Sequence, residues 1–322
     1  MDLERLPTVP TADEIMDRCL RRAAAKRKEK TNKKKANEEF VRATVSSVHD
    51  KLEDVVKKFP NFDDLSPFYR ETVDILFSID KLRKSLGAVM WAADQARKTG
   101  YQHARMMRGA EDTAVLRRRA VARTASIVHQ VDSDLRFLNK ARNVLRKLPD
   151  VRDEFTVVIA GYPNVGKSSF IKAVSTAEPE IASYPFTTKG IIVGHRQIGR
   201  ERMQFVDTPG LLERPASERN TIERQAVSAI TNVADVILFL IDASERCGYP
   251  LEEQLKLLDR VKETISTPTQ AGEEVTPIVV AVTKSDIQKI EGERAISAVT
   301  EEGLDDLLED LLRYREPSPM HQ

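Results

Sequence analysis

Residues 155–170 confine the chain more tightly than any other stretch. A six-residue apolar run, Phe155–Ala160, leads into Gly161-Tyr-Pro-Asn-Val-Gly-Lys-Ser168 and then into a helical pattern. The run has the length and β-branched content of a buried strand. The eight residues that follow fit G-x-x-x-x-G-K-[ST] in the strand-to-helix context that gives this pattern its meaning. Gly161 and Gly166 free the backbone to wrap an anion, so that N–H groups along Tyr162, Asn164 and Val165 can turn inward; Pro163, which has no N–H, shapes the loop. Lys167 brings an ammonium to the β- and γ-phosphates of a nucleotide. The Ser168 hydroxyl is a hard oxygen ligand for Mg²⁺, and Ser169 is a second hydroxyl facing the helix.

Further strand-like runs occur at Gly190–Ile198, Met203–Val206, Val236–Ile241, Ile278–Val282 and Arg294–Ser297, most of them separated by helical segments. Strands alternating with helices make an α/β domain with a mostly parallel sheet covered on both faces. Such sheets bind ligands beyond the carboxyl ends of their strands, where every remaining motif falls. Asp207-Thr-Pro-Gly210 ends the third strand. Asp207 can reach Mg²⁺ through a water, and the Gly210 N–H can contact the γ-phosphate. Thr187 and Thr188 lie in a polar loop. A threonine there completes the Mg²⁺ shell only while the γ-phosphate is present; Thr188 is the favoured ligand and Thr187 the next, against a plainer role in turn geometry. Thr283-Lys284-Ser285-Asp286 follows the Ile278–Val282 run. The Asp286 carboxylate can accept from N1–H and the exocyclic amine of guanine, a pair of donors that adenine lacks. The Lys284 stem can cover the base plane, and a backbone N–H at Ser297 or Ala298 can reach the guanine oxygen. The expected ligands are GTP and GDP with Mg²⁺.

The first 150 residues read differently. They carry about 32 Lys/Arg against about 22 Asp/Glu, near +10 in a chain whose net charge is +1, which leaves the remainder acidic. Thr11-Ala-Asp-Glu14 is a capping box, Ser66-Pro67 reads as an N-cap with proline at the first helical position, and Asp112 can cap a helix running to Leu148. Along that segment Val121, Val128, Val131, Leu135, Leu138, Leu145 and Leu148 recur at helical spacing, so a helical bundle is expected. Val89, Met90 and Trp91 are expected in its core. The basic stretch Arg21–Lys35 and the cluster Arg117–Arg119 suit nucleic-acid phosphates, or else a solvated face of ion pairs. No aromatic residues interleave them, which favours recognition of RNA shape and backbone over base stacking. The expected division is a basic helical domain over 1–150, a GTPase domain over 151–316 and a frayed tail over 317–322.

Two cysteines, Cys19 and Cys247, form no disulfide framework or zinc spacing, and the five histidines form no metal-ligand pattern. The N-terminus has no apolar core of a signal peptide, and no apolar run approaches membrane-spanning length. A soluble, cytoplasmic protein without a membrane partner is expected.

In order and spacing these motifs resemble the translation-factor-related P-loop GTPases, the Obg-like branch among them, and within it the nucleolar GTP-binding protein (Nog) family in its short archaeal form. The likeness rests on Gly161–Ser169, Tyr184-Pro-Phe-Thr-Thr-Lys-Gly190, Val193-Gly-His195, Asp207-Thr-Pro-Gly-Leu-Leu212, Glu218–Ala226 and Ser244-Glu-Arg-Cys-Gly-Tyr249. It spans roughly residues 155–300, with a less specific likeness over the helical part. The resemblance implies a GTP-hydrolysing switch in assembly of the large ribosomal subunit, partnered by ribosomal RNA, precursor particles and ribosomal proteins, and monomeric off the ribosome. The eukaryotic members carry a long C-terminal extension, so a chain ending soon after the GTPase part fits an archaeal cytoplasm.

Two positions depart from the wider pattern. Thr283 stands where the family usually has the asparagine that ties the base to the phosphate loop, so affinity is expected to fall while Asp286 keeps guanine choice. Leu211 stands where Ras-like enzymes place a water-orienting glutamine, a substitution the Obg-like branch shares. Intrinsic hydrolysis is therefore expected to be slow and to need the particle, another residue or a cation. Asn164 can hold a K⁺ ion beside the phosphates in related GTPases, or simply brace its own turn. The catalytic set is thus Asn164, Lys167, Thr188 and Gly210. The competing functions are a GTPase switch acting on a protein partner outside ribosome assembly, and a stand-alone nucleotide-metabolising enzyme such as a kinase. The second would need an acceptor pocket and an activating base, and no candidate for either stands out.

Overall fold

The computed structural model describes residues 3–28, 32–152, 154–182, 184–185, 190–199, 201–207, 227, 229–230, 232–265 and 276–315. The chain divides into two compact units, Met1–Leu65 with Leu76–Arg146, and Ser66–Ile75 with Lys147–Gln322.

The first unit is helical: α1 (Ala12–Lys28), α2 (Lys33–Lys58), α4 (Ile79–Met106), α5 (Thr113–Gln130) and α6 (Asp132–Leu145). The capping box at α1 is reciprocal, with Thr11 N donating to Glu14 Oε2 at 2.9 Å and Glu14 N to Thr11 Oγ1 at 3.3 Å. Asp112 caps α5 by accepting from Ala114 N and Val115 N. The single helix expected from Asp112 to Leu148 is instead two. It breaks at Val131, and the adjoining Asp132 carboxylate accepts from Ala12 N at 2.8 Å and from Arg136 Nε. Asp132 thereby satisfies an N–H at the start of α1, a demand from a distant segment that periodicity within 112–148 does not contain.

Of the three residues expected in the core at 89–91, Val89 is fully buried but Trp91 is 52% exposed. The buried stripe of α4 is built largely from small residues, including Ser85, Ala92, Ala93, Ala96, Gly100 and Ala104. The neighbouring helix α2 comes so close that a Cβ on Gly100 would stand 2.1 Å from Val45 Cγ1. An indole does not fit such a seam and lies outside it.

The second unit holds a six-stranded sheet: β1 (Phe155–Ala160), β2 (Glu180–Ala182), β3 (Ile191–Ile198), β4 (Glu201–Asp207), β5 (Val236–Asp242) and β6 (Ile278–Thr283), in the order β2-β3-β4-β1-β5-β6. The pairs β4–β1, β1–β5 and β5–β6 are parallel, while β2–β3 and β3–β4 are antiparallel. Only residues 199–200 separate β3 from β4, a link too short for a parallel crossover, and Gly199 at φ +59° suits the hairpin. Every residue of β1 and β5 is buried, as in strands covered on both faces. Helix α7 (Lys167–Val174) packs on β3 and β4, and α8 (Leu251–Ile265) on β5; α9 (Leu304–Leu312) buries Leu304, Leu307, Leu308 and Leu311 in the same core. The expected strand at Arg294–Ser297 is only a parallel bridge from Ala295 to Val282, because the chain turns again at once.

One helix of the N-terminal half belongs here. α3 (Pro67–Phe77) opens at the expected Ser66-Pro67 start, and Ser66–Ile75 group with the sheet. The Tyr69 hydroxyl donates to Pro149 O at 2.7 Å and accepts from Val151 N at 3.0 Å. Phe68 stacks on Tyr184, ring centroids 6.0 Å apart, and both rings are buried.

Candidate nucleotide-binding site

The phosphate loop forms where β1 ends and α7 begins. Gly161 has φ +136°, and a Cβ there would lie 2.5 Å from Leu240 O on β5. Gly166 sits at the α7 N-cap with φ +107°. Both positions therefore need glycine, the first for space as well as conformation. The Lys167 ammonium is buried and donates to the carbonyls of Gly161 (2.7 Å) and Tyr162 (2.8 Å), so it folds back across the loop that its own backbone closes. Asn164 takes the left-handed conformation, φ +63°, which asparagine tolerates better than most residues. Its side chain is exposed. Ser169 is also exposed on the first turn of α7. The Tyr162 ring stacks on Tyr249 at 4.2 Å between centroids, with Pro163 following it in the loop.

Next to this loop, Ser168 Oγ donates to Asp207 Oδ2 at 3.2 Å. Asp207 is 1% exposed at the end of β4, which pairs directly with β1. A hydroxyl and a buried carboxylate converging at a helix N-terminus are hard oxygen donors of the kind Mg²⁺ takes. The other residues expected around the γ-phosphate, Thr187, Thr188 and Gly210, lie outside the described residues, as do Leu211 and the Glu218–Ala226 motif.

The base-reading residues come to the same edge from β6. Thr283 Oγ1 donates to Val165 O at 2.6 Å, with Ile241 O at 3.1 Å as a second acceptor. The loss of the tie between base motif and phosphate loop, expected from threonine at this position, is not what the geometry shows. A hydroxyl is shorter than a carboxamide, but the backbone comes near enough for it to reach. Lys284 adopts φ +57° and pairs with the buried carboxylate of Asp242 at 2.6 Å. The Asp286 side chain is exposed, and its Oδ1 accepts from Ser297 Oγ at 2.6 Å. Ser297 Oγ in turn accepts from Val299 N and Thr300 N, which sets the carboxylate by a chain of hydrogen bonds. The Ser297 N–H, one of the two expected to reach a base oxygen, is committed to Glu302 O at 3.0 Å.

Residue-by-residue reading missed Asp242 and Gln254. One signal was available: a charged residue directly after the apolar run Val236–Ile241 marks a strand end at the ligand edge. Nothing local marked Gln254, whose partners come from its fold. Among the described residues there is no cluster of His, Cys, Asp and Glu able to hold a metal by itself, and no helix is long and apolar enough to cross a membrane.

A family model described as NOG1 N-terminal helical domain matches residues 3–152, and one described as 50S ribosome-binding GTPase matches residues 156–284. An uncharacterized protein of Methanocaldococcus jannaschii is 44% identical over 295 residues, which is 88% of this chain and 81% of that one. Nucleolar GTP-binding protein 1 of Drosophila melanogaster is 34% identical over 77% of this chain and 37% of its own length. The crystal structure of a putative nucleolar GTP-binding protein 1 from Plasmodium falciparum is 29% identical, covering 52% of this chain and 89% of that one with a TM-score of 0.42. The chain spans less than half the length of the curated eukaryotic relatives it matches.

Proposed function

Because the chain belongs to the nucleolar GTP-binding protein 1 (NOG1) family, we propose that it hydrolyses GTP to GDP and phosphate as a switch in assembly of the large ribosomal subunit. The observation that carries the reading is the bond from Thr283 Oγ1 to Val165 O, because it joins the base-reading segment to the phosphate loop in one site. Asp286 then selects guanine, while Lys167 and the loop N–H groups hold the phosphates. Ser168 and Asp207, with Thr188 in the GTP state, would hold Mg²⁺, which when bound supplies positive charge to the β- and γ-phosphate oxygens. Thr188 and Gly210 are assigned to sensing the γ-phosphate, so that their segments reset when it leaves.

Slow intrinsic turnover follows from Leu211, an apolar side chain that cannot orient water. Asn164, exposed in the loop, is the residue proposed to hold K⁺ beside the phosphates. Turnover measured in KCl should exceed that in NaCl at equal ionic strength by at least tenfold, on the order of part of an arginine-finger effect. Equal rates remove the potassium role and leave the rest of the reading standing.

Ribosomal RNA in precursor particles is the partner this reading names, with ribosomal proteins beside it and a cytoplasmic monomer off the particle. Its support is the basic helical unit. Helices α1 and α5, which carry basic residues of the two segments, pack against each other, and burial, joined by the nearby charges of Arg27 and Arg118, holds the Arg117 guanidinium below its ordinary pKa. Arg117 itself is turned inward, donating to Asn37 Oδ1 at 3.1 Å and lying over the Phe40 ring. Among the described residues the outward charges include Arg21, Arg22, Lys26, Arg27, Lys33, Lys34 and Lys35 with Arg118, Arg119 and Arg123. Co-sedimentation with large-subunit RNA should depend on whether GTP or GDP is bound. It should also weaken with salt at a log–log slope of roughly −0.7 to −0.9 per phosphate contacted. Association that ignores both the nucleotide and the salt would refute the assignment.

A further inference from the structure

The strand-end residue Asp242 and the turn Ser244–Tyr249 touch the site at two points, Lys284 and Tyr162, without a role of their own assigned so far. Asp242 is fully buried, and its carboxylate is saturated. Oδ1 accepts from Ser244 N at 3.0 Å and Ser244 Oγ at 2.6 Å; Oδ2 accepts from Cys247 N at 2.8 Å and Lys284 Nζ at 2.6 Å. Burial pushes this carboxyl up, and the bonds from Lys284, Ser244 and Cys247 outweigh it, so Asp242 titrates below its ordinary range and stays charged. The buried Gln254 locks the turn from behind. Its Oε1 accepts from Asp242 N at 2.8 Å, and its Nε2 lies 3.0 Å from Asp242 O and 2.8 Å from Tyr249 O. At the far end of the turn, Tyr249 stacks on Tyr162 of the phosphate loop.

We propose that Asp242 is a positioning residue for the guanine base: it clamps the Lys284 ammonium, so that the lysine stem is held where the plane of the base will lie. This deepens the reading of Thr283–Asp286 as the base site and rests on it. Lys284 has the left-handed backbone, φ +57°, a conformation a side chain keeps only when its surroundings impose it. A lysine has four rotatable bonds, and an unclamped one must lose that freedom when the nucleotide arrives. Clamped at 2.6 Å by a buried carboxylate, it has lost the freedom beforehand, and binding is correspondingly tighter. The Ser244–Tyr249 turn is the seat that keeps the carboxylate in place.

The test is a double-mutant cycle on the full chain, read as dissociation constants for GDP and inosine diphosphate. Asp242→Asn should weaken both by about tenfold and by the same factor, since the plane of the base is shared while its edge differs. In a Lys284→Met background, Asp242→Asn should add less than about twofold, because its effect runs through the ammonium. If the tenfold loss persists in that background, Asp242 only supports the fold and the proposal is overturned; no loss from Asp242→Asn alone overturns it as well. Should Asp242→Asn fail to fold, Ser244→Ala removes a single bond to the same carboxylate, and its smaller loss should likewise vanish with Lys284→Met. Asp286→Asn separates the two layers, because it should turn preference from guanosine to xanthosine nucleotides. If that swap does not occur, the base-site reading falls; if it occurs while the cycle is additive, only the role of Asp242 falls.

Discussion

Lys167→Ala should bind GDP and GTP at least about a hundredfold more weakly than the parent chain, while its helical unit should keep its amide protection. Two losses combine. The ammonium is the charge placed against the β- and γ-phosphates, and truncating one partner of a desolvated charged pair costs about 2–5 kcal/mol, about 30- to 5,000-fold in affinity. The same ammonium also donates to Gly161 O and Tyr162 O, tying α7 back to the start of the loop, so its removal loosens the cradle as well. Calorimetric titration with GDP in the presence of Mg²⁺ measures the first loss. Hydrogen exchange in α1, α2, α4 and α5 shows whether the change stays in the nucleotide unit. Binding within threefold of the parent would mean that the phosphates do not sit in this loop.

Phe68→Ala is expected to destabilise the nucleotide unit by about 3–5 kcal/mol, the range for a large buried aromatic truncated to alanine. That is a large part of the roughly 5–15 kcal/mol by which a domain is stable. By sequence Phe68 lies in the helical half, yet it is 1% exposed and stacked on Tyr184, whose burial pushes its hydroxyl pKa up to about 12. Thr72 and Val73 on the same helix are fully buried, and Glu71 accepts from Asn232 at 3.1 Å. Removing the ring leaves a cavity beneath the residue that opens the Tyr184–Gly190 motif. Exchange should therefore speed up in Phe155–Ala160 and Glu201–Asp207 and stay unchanged in α2 and in α4 beyond its first turn. Faster exchange in α2 with none in β1 would show that α3 belongs with the bundle.

Much of the candidate site is legible in the sequence. The candidate phosphate loop, Asp207 and Asp286 stand out because each motif is short and stands at a strand end. Its demands are local: glycine where the backbone must turn or approach another strand, a hard oxygen near a metal, a carboxylate facing a base edge. The capping boxes were legible for the same reason, since Thr11 and Glu14 answer each other within one helical turn. What was not legible depended on a partner far along the chain. The break at Val131 adjoins Asp132, which serves Ala12; Trp91 lies outside the core because Gly100 lets α2 come close; and Arg294–Ser297 make one bridge because the next residues turn away. The role of Thr283 is the sharpest case. Residue type alone suggested a lost tie, and only the position of the Val165 carbonyl restores it.

From its order of residues alone, this chain was committed to an α/β nucleotide-binding domain behind a helical one, because periodicity and short motifs act over a few residues and need no distant neighbour. Tertiary structure decided which helix joins the sheet, which hydroxyl reaches the phosphate loop and which buried carboxylate holds Lys284. Each of those outcomes is a distance between segments tens of residues apart or more, and such distances are set by packing, which no local pattern encodes.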